Sequence, residues 1–266
     1  MGDFPTVRVN RSARAFVHVG VDYAGPVLDR TAKGRGYKAQ KAYIAVFICM
    51  TVKTIHLELV SDYSTDAFLA AFQRFASRRG FPTSLYSDNG TTFRGADREL
   101  RNAAKLASKD PNFLNALASQ DVDWHFIPPS APHFGGLWEA VVRSMKHHLK
   151  RCIGSHILTF EELSTVLCRI EACLNSRPIA PVSDSLDDYH VLTPGHFLID
   201  GPPVAAPEPN TLELNEMRLS RWQLLQRISE TFWKAWSNDY LTYSICSRGQ
   251  NGRSLTSLRK SDSWCF

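Results

Sequence analysis

Three apolar runs near the start of the chain constrain the fold more than any other feature of the sequence. FVHVGVDY, AYIAVFICM and TIHLELV are rich in β-branched and aromatic residues, and polar or glycine-containing segments separate them. They predict three consecutive β-strands, which we expect to be antiparallel neighbours. The next segment, STDAFLAAFQRFASRRGFP, has helical spacing and a stop signal at Gly80 and Pro82. Its predicted buried face consists of Phe68, Leu69, Phe72, Phe75 and Ala76.

The following segments continue the alternation of strands and helices. TSLYSD predicts a fourth strand that ends at the Asn89-Gly90 turn, and VDWHFI predicts a fifth. The alanine-rich sequence from Ala96 to Gln120 predicts one or two helices between them. A further helix is predicted from Gly136 to about Cys152. The order of three strands, helix, strand, helices, strand and helix is typical of an α/β protein.

Two more helices are predicted in the second half of the chain. Thr159 and Glu162 form a T-x-x-E capping box, which predicts the start of a helix that runs to Leu174. Proline and glycine become frequent from Pro178 to Pro209, as in a linker. A last amphipathic helix is predicted from about Met217 to Tyr240.

Composition limits the class of protein. With 266 residues, 44% of them hydrophobic, the chain can bury a substantial core. Its longest apolar run, Ala42 to Met50, is too short to span a membrane, so we expect a soluble intracellular protein with no membrane partner. The six cysteines form no C-x-x-C pair, which favours reduced thiols over a zinc site. The net charge of +5 is compatible with a polyanionic partner.

Three acidic residues lie at the edges of predicted apolar structure. Asp22 is expected to end the first strand, Asp88 ends the fourth strand, and Glu139 lies near the start of a basic helix. Carboxylates from distant segments can converge on hard divalent cations, and a two-metal site of this kind serves phosphodiester chemistry. Simpler explanations remain open for each residue: the aspartates could cap turns, and Glu139 could pair with Arg143 on a solvated helix.

Basic residues follow Glu139 at helical spacing. Arg143, Lys146 and Lys150 lie 4, 7 and 11 residues after it, close to the same helix face. Such a face could follow a phosphate backbone, although cations near the end of a helix also stabilise its dipole. The pattern alone does not decide between these two roles.

Three stretches of the sequence, taken in order, resemble one family: HVGVDYAGP, YSDNGTTFRGA and PPSAPHFGGLWEAVVRSMKHHLKR. They are similar to the catalytic core of retroviral-type integrases, and most closely to the integrases of BEL/Pao retrotransposons. LVSDYSTDAFLAAFQRFASRRGFP, LTFEELSTVLCRIEACLNSRPIAP and LTPGHFLIDGPP look like further parts of that subfamily. The interval of 51 residues between Asp88 and Glu139 is longer than in retroviral integrases and fits the BEL/Pao pattern.

The resemblance implies an RNase H-like fold, a five-stranded mixed sheet flanked by helices with a helical C-terminal extension. It also implies a D,D,E triad of Asp22, Asp88 and Glu139 that binds two Mg²⁺ or Mn²⁺ ions, processes retroelement DNA 3′ ends and joins them to target DNA. Asn89 and the loop from Pro132 to Gly136 would border the DNA. The basic residues of the following helix, Arg143, Lys146 and Lys150, would touch its phosphates. The partners expected are DNA and further copies of the chain, in the nucleus, with a cytoplasmic particle stage for an active element.

The expected domain division follows the same resemblance. Residues 1–15 form an N-terminal extension, 16–178 the catalytic core, and 179–240 a proline-containing linker and helical extension. Residues 241–266 diverge from the family and are expected to be disordered or translated out of register. We expect neither the family's HHCC zinc module nor its small basic barrel in this sequence. An inactive retroelement-derived nucleic-acid-binding remnant therefore remains an alternative, and ribonuclease H activity is a third, disfavoured by the integrase-like motifs around the triad.

Overall fold

The computed structural model describes residues 14–30, 32, 38–88, 90–107, 122–126, 132–181, 191–203, 211, 215 and 219–249. The strands are β1 (His18–Arg30), β2 (Ala39–Cys49), β3 (Ile55–Val60), β4 (Ser84–Ser87), β5 (Asp123–Phe126), β6 (Leu158–Thr159), β7 (Ala180–Pro181) and β8 (Val191–Leu192). The helices are α1 (Thr65–Arg79), α2 (Thr91–Ala107), α3 (Pro132–Ile153), α4 (Phe160–Asn175), α5 (His196–Ile199) and α6 (Arg221–Gly249). Of the described helices, none is both long enough and apolar enough to cross a bilayer.

The main sheet has the strand order β3-β2-β1-β4-β5. The three N-terminal strands are antiparallel neighbours, whereas β4 is parallel to β1 and β5 is parallel to β4. The two-residue strand β6 adds to the far end of β1, and β7 and β8 form a separate pair. A central strand with an antiparallel meander on one side and parallel strands on the other defines an RNase H-like fold, and this confirms the predicted fold class.

Helices cover both faces of this sheet. On one face, α1 and α2 bury an aromatic cluster that includes Phe47, Phe68, Phe75 and Trp124. On the other face, aliphatic residues of β2 and β3 form one buried cluster with residues of α3, α4 and α6, and α6 contacts α3 and α4. Successive side chains of β1 point to opposite faces of the sheet. Val21 and Tyr23 therefore lie in the aromatic cluster, and Ala24 lies in the aliphatic one.

Local sequence signals account well for α1 and α4. Ser64 caps α1 by accepting a hydrogen bond from the Ala67 amide, and the helix ends at Gly80, whose φ of 84° suits glycine. Thr159 and Glu162 form the predicted capping box of α4, with reciprocal bonds of 3.3 and 2.9 Å. Four of the five residues predicted to line the buried face of α1 are buried, and Leu69 is partly buried.

Side chains from other elements cover the outer edge of β3. The Asn175 side chain accepts a hydrogen bond from the Ile55 amide at 2.9 Å and donates one to the Ile55 carbonyl at 2.8 Å. The Leu57 amide donates to Glu171 at 2.8 Å. These contacts satisfy backbone groups that an edge strand would otherwise expose to another strand.

Three predicted boundaries were wrong. Asp22 does not end β1, because a register shift between Ala24 and Val27 accommodates Gly25 and Pro26 and the strand resumes. The expected loop from Pro132 to Gly136 is the first turn of α3, where proline is tolerated because the first helical amides need no partner. Helix α6 continues past Tyr240 to Gly249, since no proline or glycine interrupts it before that glycine.

Several other predictions fall at least partly outside the described residues. They concern residues 1–13, the later part of the alanine-rich segment at 108–120, parts of the linker at 182–190 and 204–209, and the tail from 250. Four cysteines that the structure does describe, Cys49, Cys152, Cys168 and Cys173, are free thiols.

Candidate functional site

The register between β1 and β4 brings Asp22 and Asp88 together. These parallel strands pair Val19 with Leu85 and Gly20 with Tyr86. Continued two residues along each chain, past the end of β4 at Ser87, the same register would set Asp22 beside Asp88. Neighbouring strands are about 4.8 Å apart, so two carboxylates at facing positions are close enough to share a cation.

The charges of both carboxylates affect the pKa of Tyr63, which supports the proximity of the two aspartates. Burial, then the charge of Asp88, and then the charge of Asp22 raise the pKa of the Tyr63 hydroxyl. A methyl group added at Gly90 would lie 3.0 Å from Oδ1 of Asp88 and 3.5 Å from the hydroxyl oxygen of Tyr63. The two aspartates, Gly90 and Tyr63 therefore border one small region at the open end of the β1–β4 pair.

Backbone amides orient the two aspartates differently. Oδ1 of Asp22 accepts a hydrogen bond from the Tyr23 amide at 2.7 Å, and this side chain is half-buried. Oδ1 of Asp88 accepts one from the Gly90 amide at 2.9 Å, and its side chain is exposed. The Asp88 bond has the form of an Asx turn, so the turn-cap explanation is correct for Asp88. It does not compete with a metal-binding role, because a carboxylate has further lone pairs to offer.

The backbone places Glu139 in α3, as predicted, and its side chain lies outside the described residues. Helix α3 packs on β1, and its residue Met145, which follows Glu139 by six residues, is fully buried. Met145 lies in the aliphatic cluster with Ala24, and by strand alternation Ala24 shares its face of β1 with Asp22. Glu139 thus belongs to the helix that covers the face of the sheet on which Asp22 lies.

The C-terminal half of α3 presents the predicted cations to solvent. Arg143, Lys146 and Lys150 are all exposed, whereas Met145 and Leu149 of the same helix are buried. This separation gives α3 one basic face and one apolar face. Asn89, the remaining residue predicted to border DNA, lies outside the described residues.

Among the side chains that the structure describes, no group of three or more His, Cys, Asp or Glu residues is arranged to hold a metal ion. The predicted trio is not tested by that observation, because the Glu139 side chain is not among them. The pair that is described, Asp22 and Asp88, supplies the carboxylate oxygens that Mg²⁺ and Mn²⁺ prefer. The residues present therefore fit a divalent-cation site.

Sequence reasoning missed Tyr63 and Gly90. Tyr63 lies in the short segment between β3 and α1, where the SDYS sequence carries no periodic pattern. Because Tyr63 is far from both aspartates along the chain, the sequence did not indicate that it lies near them. A glycine directly after the DN pair was the available signal for a close approach at position 90.

A second cluster of charged residues joins β3 to α1 and α4. His56 lies 2.8 Å from Glu58 and 3.2 Å from Glu171, and all three side chains are largely buried. Burial alone would lower the pKa of His56, but its hydrogen bonds to Glu171 and Glu58 outweigh that effect and raise it. Three arginines of α1 complete the cluster: Arg74, Arg78 and Arg79. These carboxylates are neutralised by cations, which indicates a structural role.

Comparisons with known proteins were made against families, curated sequences and solved structures. No protein-family model and no curated protein matches the sequence. Among solved structures, one similar chain comes from the simian T-cell lymphotropic virus intasome in complex with the PP2A regulatory subunit B56 gamma. Its TM-score is 0.45 at 12% identity, over 78% of this chain and 63% of that one. The chain thus spans less than two thirds of that neighbour's length.

Two further neighbours are structures of the HTLV-2 integrase catalytic core domain in complex with magnesium. The trimeric form gives a TM-score of 0.40 at 15% identity, over 64% of this chain and 93% of that one. The dimeric form gives 0.38 at 13% identity, over 64% and 92%. The RNase H-like architecture of the present chain is established by its own strand order and directions.

Proposed function

We propose that this protein is the catalytic core of a retroelement integrase, of the BEL/Pao type, and acts as a metal-dependent polynucleotidyl transferase on DNA. Its main support is the register of β1 and β4, which, continued by two residues, would bring Asp22 beside Asp88, together with the effect of both aspartate charges on Tyr63. The order of the motifs around Asp22, Asp88 and Glu139 in the sequence supports it. In this proposal Glu139 completes the triad from α3.

Asp22, Asp88 and Glu139 would hold two Mg²⁺ or Mn²⁺ ions. When bound, such ions activate the attacking oxygen and neutralise charge on the phosphate during an in-line displacement. The Tyr23 and Gly90 amides fix one oxygen of each aspartate, so that the carboxylates are oriented before substrate arrives. Position and charge suffice for this chemistry, and no covalent intermediate with the protein is needed.

The exposed cations of α3 supply the binding part of the proposal. Arg143, Lys146 and Lys150 would contact phosphates of the DNA strand that leads into the site. Contacts of this type position the strand and carry no sequence information. We further propose that the active form is a homo-oligomer and that it acts in the nucleus after a cytoplasmic particle stage, in keeping with integration of retroelement DNA.

The test is Mn²⁺-dependent resealing of a branched DNA that mimics an integration product, because this reaction depends least on modules outside the catalytic core. Wild-type protein should reseal the strand, and Asp88→Asn should abolish the reaction without lowering the melting temperature. Asp123→Asn is the matched control, since Asp123 is an exposed aspartate of the same sheet that pairs with His125. It should retain wild-type activity.

Two results would contradict the proposal. Equal activity of wild-type and Asp88→Asn protein would remove Asp88 from the chemistry. A folded wild-type protein that binds DNA in a salt-sensitive manner but never reseals it would favour the non-catalytic remnant instead.

A further inference from the structure

Tyr63 occupies an anchored position beside the two aspartates. Its backbone carbonyl accepts a hydrogen bond of 2.9 Å from Thr92, which lies at the start of α2. On its other side, Asp62 accepts a bond from the Ser64 amide at 2.8 Å, and Ser64 caps α1. Bonds to both neighbouring helices therefore fix the segment that carries Tyr63, although this segment belongs to no strand or helix.

The ring of Tyr63 rests on an aromatic base and remains accessible. Its centroid lies 4.8 Å from that of Tyr23 and 5.3 Å from that of Tyr43. Tyr23 is 7% exposed, whereas Tyr63 is 43% exposed. An aromatic ring that is supported on one side and open to solvent on the other can accept a nucleotide with little loss of conformational entropy.

The hydroxyl of Tyr63 lies on the side of the carboxylates. It would be 3.5 Å from a methyl group at Gly90, a position that is also 3.0 Å from Oδ1 of Asp88. The ordinary pKa of a tyrosine hydroxyl lies far above neutral pH, so the hydroxyl of Tyr63 is protonated there and can donate a hydrogen bond. A donor beside a phosphodiester site can contact a phosphate oxygen.

We infer that Tyr63 is a DNA-positioning residue of this site. Its ring stacks on the nucleotide next to the reacting phosphate, and its hydroxyl donates a hydrogen bond to that strand. The inference deepens the proposed function and rests on it, because it requires DNA to pass over the exposed face of Tyr63 as it reaches the two aspartates. Since stacking tolerates every base, Tyr63 would fix the strand without selecting a sequence.

The first test is a crosslinking experiment on DNA that cannot react. A branched DNA without the attacking 3′-hydroxyl carries 5-iododeoxyuridine beside the junction, and it is irradiated with the wild-type protein in Mn²⁺. We expect a crosslink in the tryptic peptide 54–74, whose other aromatic residues, His56, Phe68 and Phe72, are buried. A crosslink confined to other peptides would overturn the inference.

The second test uses the affinity of the same DNA by fluorescence anisotropy. Tyr63→Ala should weaken binding about tenfold, as expected for the loss of one base–aromatic stack, and Tyr63→Phe should restore most of it. Phe160→Ala is the matched control, since Phe160 is 41% exposed and lies on α4. Its affinity should equal that of the wild type. Unchanged affinity in Tyr63→Ala would overturn the inference.

Neither test depends on catalysis, so failure of the inference about Tyr63 can be distinguished from failure of the proposed function. Resealing by wild-type protein with no crosslink at Tyr63 would leave the integrase proposal in place and remove the role of Tyr63. A crosslink at Tyr63 in a protein that never reseals DNA would preserve the DNA contact and refute the catalytic proposal.

Discussion

Replacing Asn175 by alanine should destabilise the protein strongly, although Asn175 has no part in the proposed chemistry. The side chain is 1% exposed and makes two hydrogen bonds to Ile55, at 2.9 Å from the amide and at 2.8 Å to the carbonyl. Its loss leaves both backbone groups of Ile55 buried on the outer edge of β3. Among the strands of the described residues, β3 is the end strand of the sheet, and none of them pairs with that edge.

The magnitude follows from these two orphaned groups. Each buried donor or acceptor that loses its partner costs about 1–3 kcal/mol, so the variant should lose about 3 kcal/mol of unfolding free energy. For a domain of this size, about 2–4 °C of melting temperature is lost per kcal/mol, which predicts a decrease of about 10 °C.

Urea unfolding followed by circular dichroism measures the effect. The matched control is Asn238→Ala, because Asn238 is an exposed asparagine within helix α6 and should change stability by less than about 0.5 kcal/mol. A loss below about 1 kcal/mol in Asn175→Ala, with the control unchanged, would refute the edge-sealing role derived from these bonds.

Three further predictions concern the site, the charged cluster and the basic helix. Gly90→Ala should slow resealing about 100-fold, because its methyl group would lie 3.0 Å from Oδ1 of Asp88, and wild-type rates would contradict this. Unfolding free energy should fall as the pH rises through the folded-state pKa of His56. A histidine whose pKa is raised by folding contributes its full stabilisation only below its unfolded-state pKa. Urea unfolding at a series of pH values from about 6 to 9 should show this fall in the wild type and not in His56→Gln. Lys146→Ala should reduce by about one the slope of the logarithm of the DNA-binding constant against the logarithm of the salt concentration. The control Lys234→Ala, at an exposed lysine of α6, should leave this slope unchanged. If Lys146→Ala also leaves it unchanged, Lys146 does not contact the DNA.

The sequence predicted best those features that depend on neighbours along the chain. The capping box of Thr159 and Glu162 and the buried face of α1 could be predicted because their determinants lie within a few residues of each other. The continuation of β1 beyond Asp22 could not, because Gly25 and Pro26 have the composition of a turn. Pairing with β2 on both sides of the bulge keeps that segment in the sheet, and β6 adds to its far end.

The candidate site was predicted only in part, because part of it depends on contacts between residues distant in the sequence. The motif order suggested that Asp22 and Asp88 meet, and the register of β1 and β4 supports this. The position of Tyr63 depends on how the segment after β3 is held against α2, which is a contact between residues distant in sequence. The link between His56 and Glu171 spans 115 residues and likewise has no signature in the sequence.

The most direct test of the central claim is affinity cleavage with Fe²⁺ in place of Mg²⁺, since hydroxyl radicals produced at a bound iron cut the backbone beside its ligands. If Asp22, Asp88 and Glu139 form one metal site, fragments should end near all three residues, and Asp88→Asn should abolish all three cuts together. Cuts near Asp22 and Asp88 without any near Glu139, or cuts that persist in the variant, would contradict a shared three-carboxylate site.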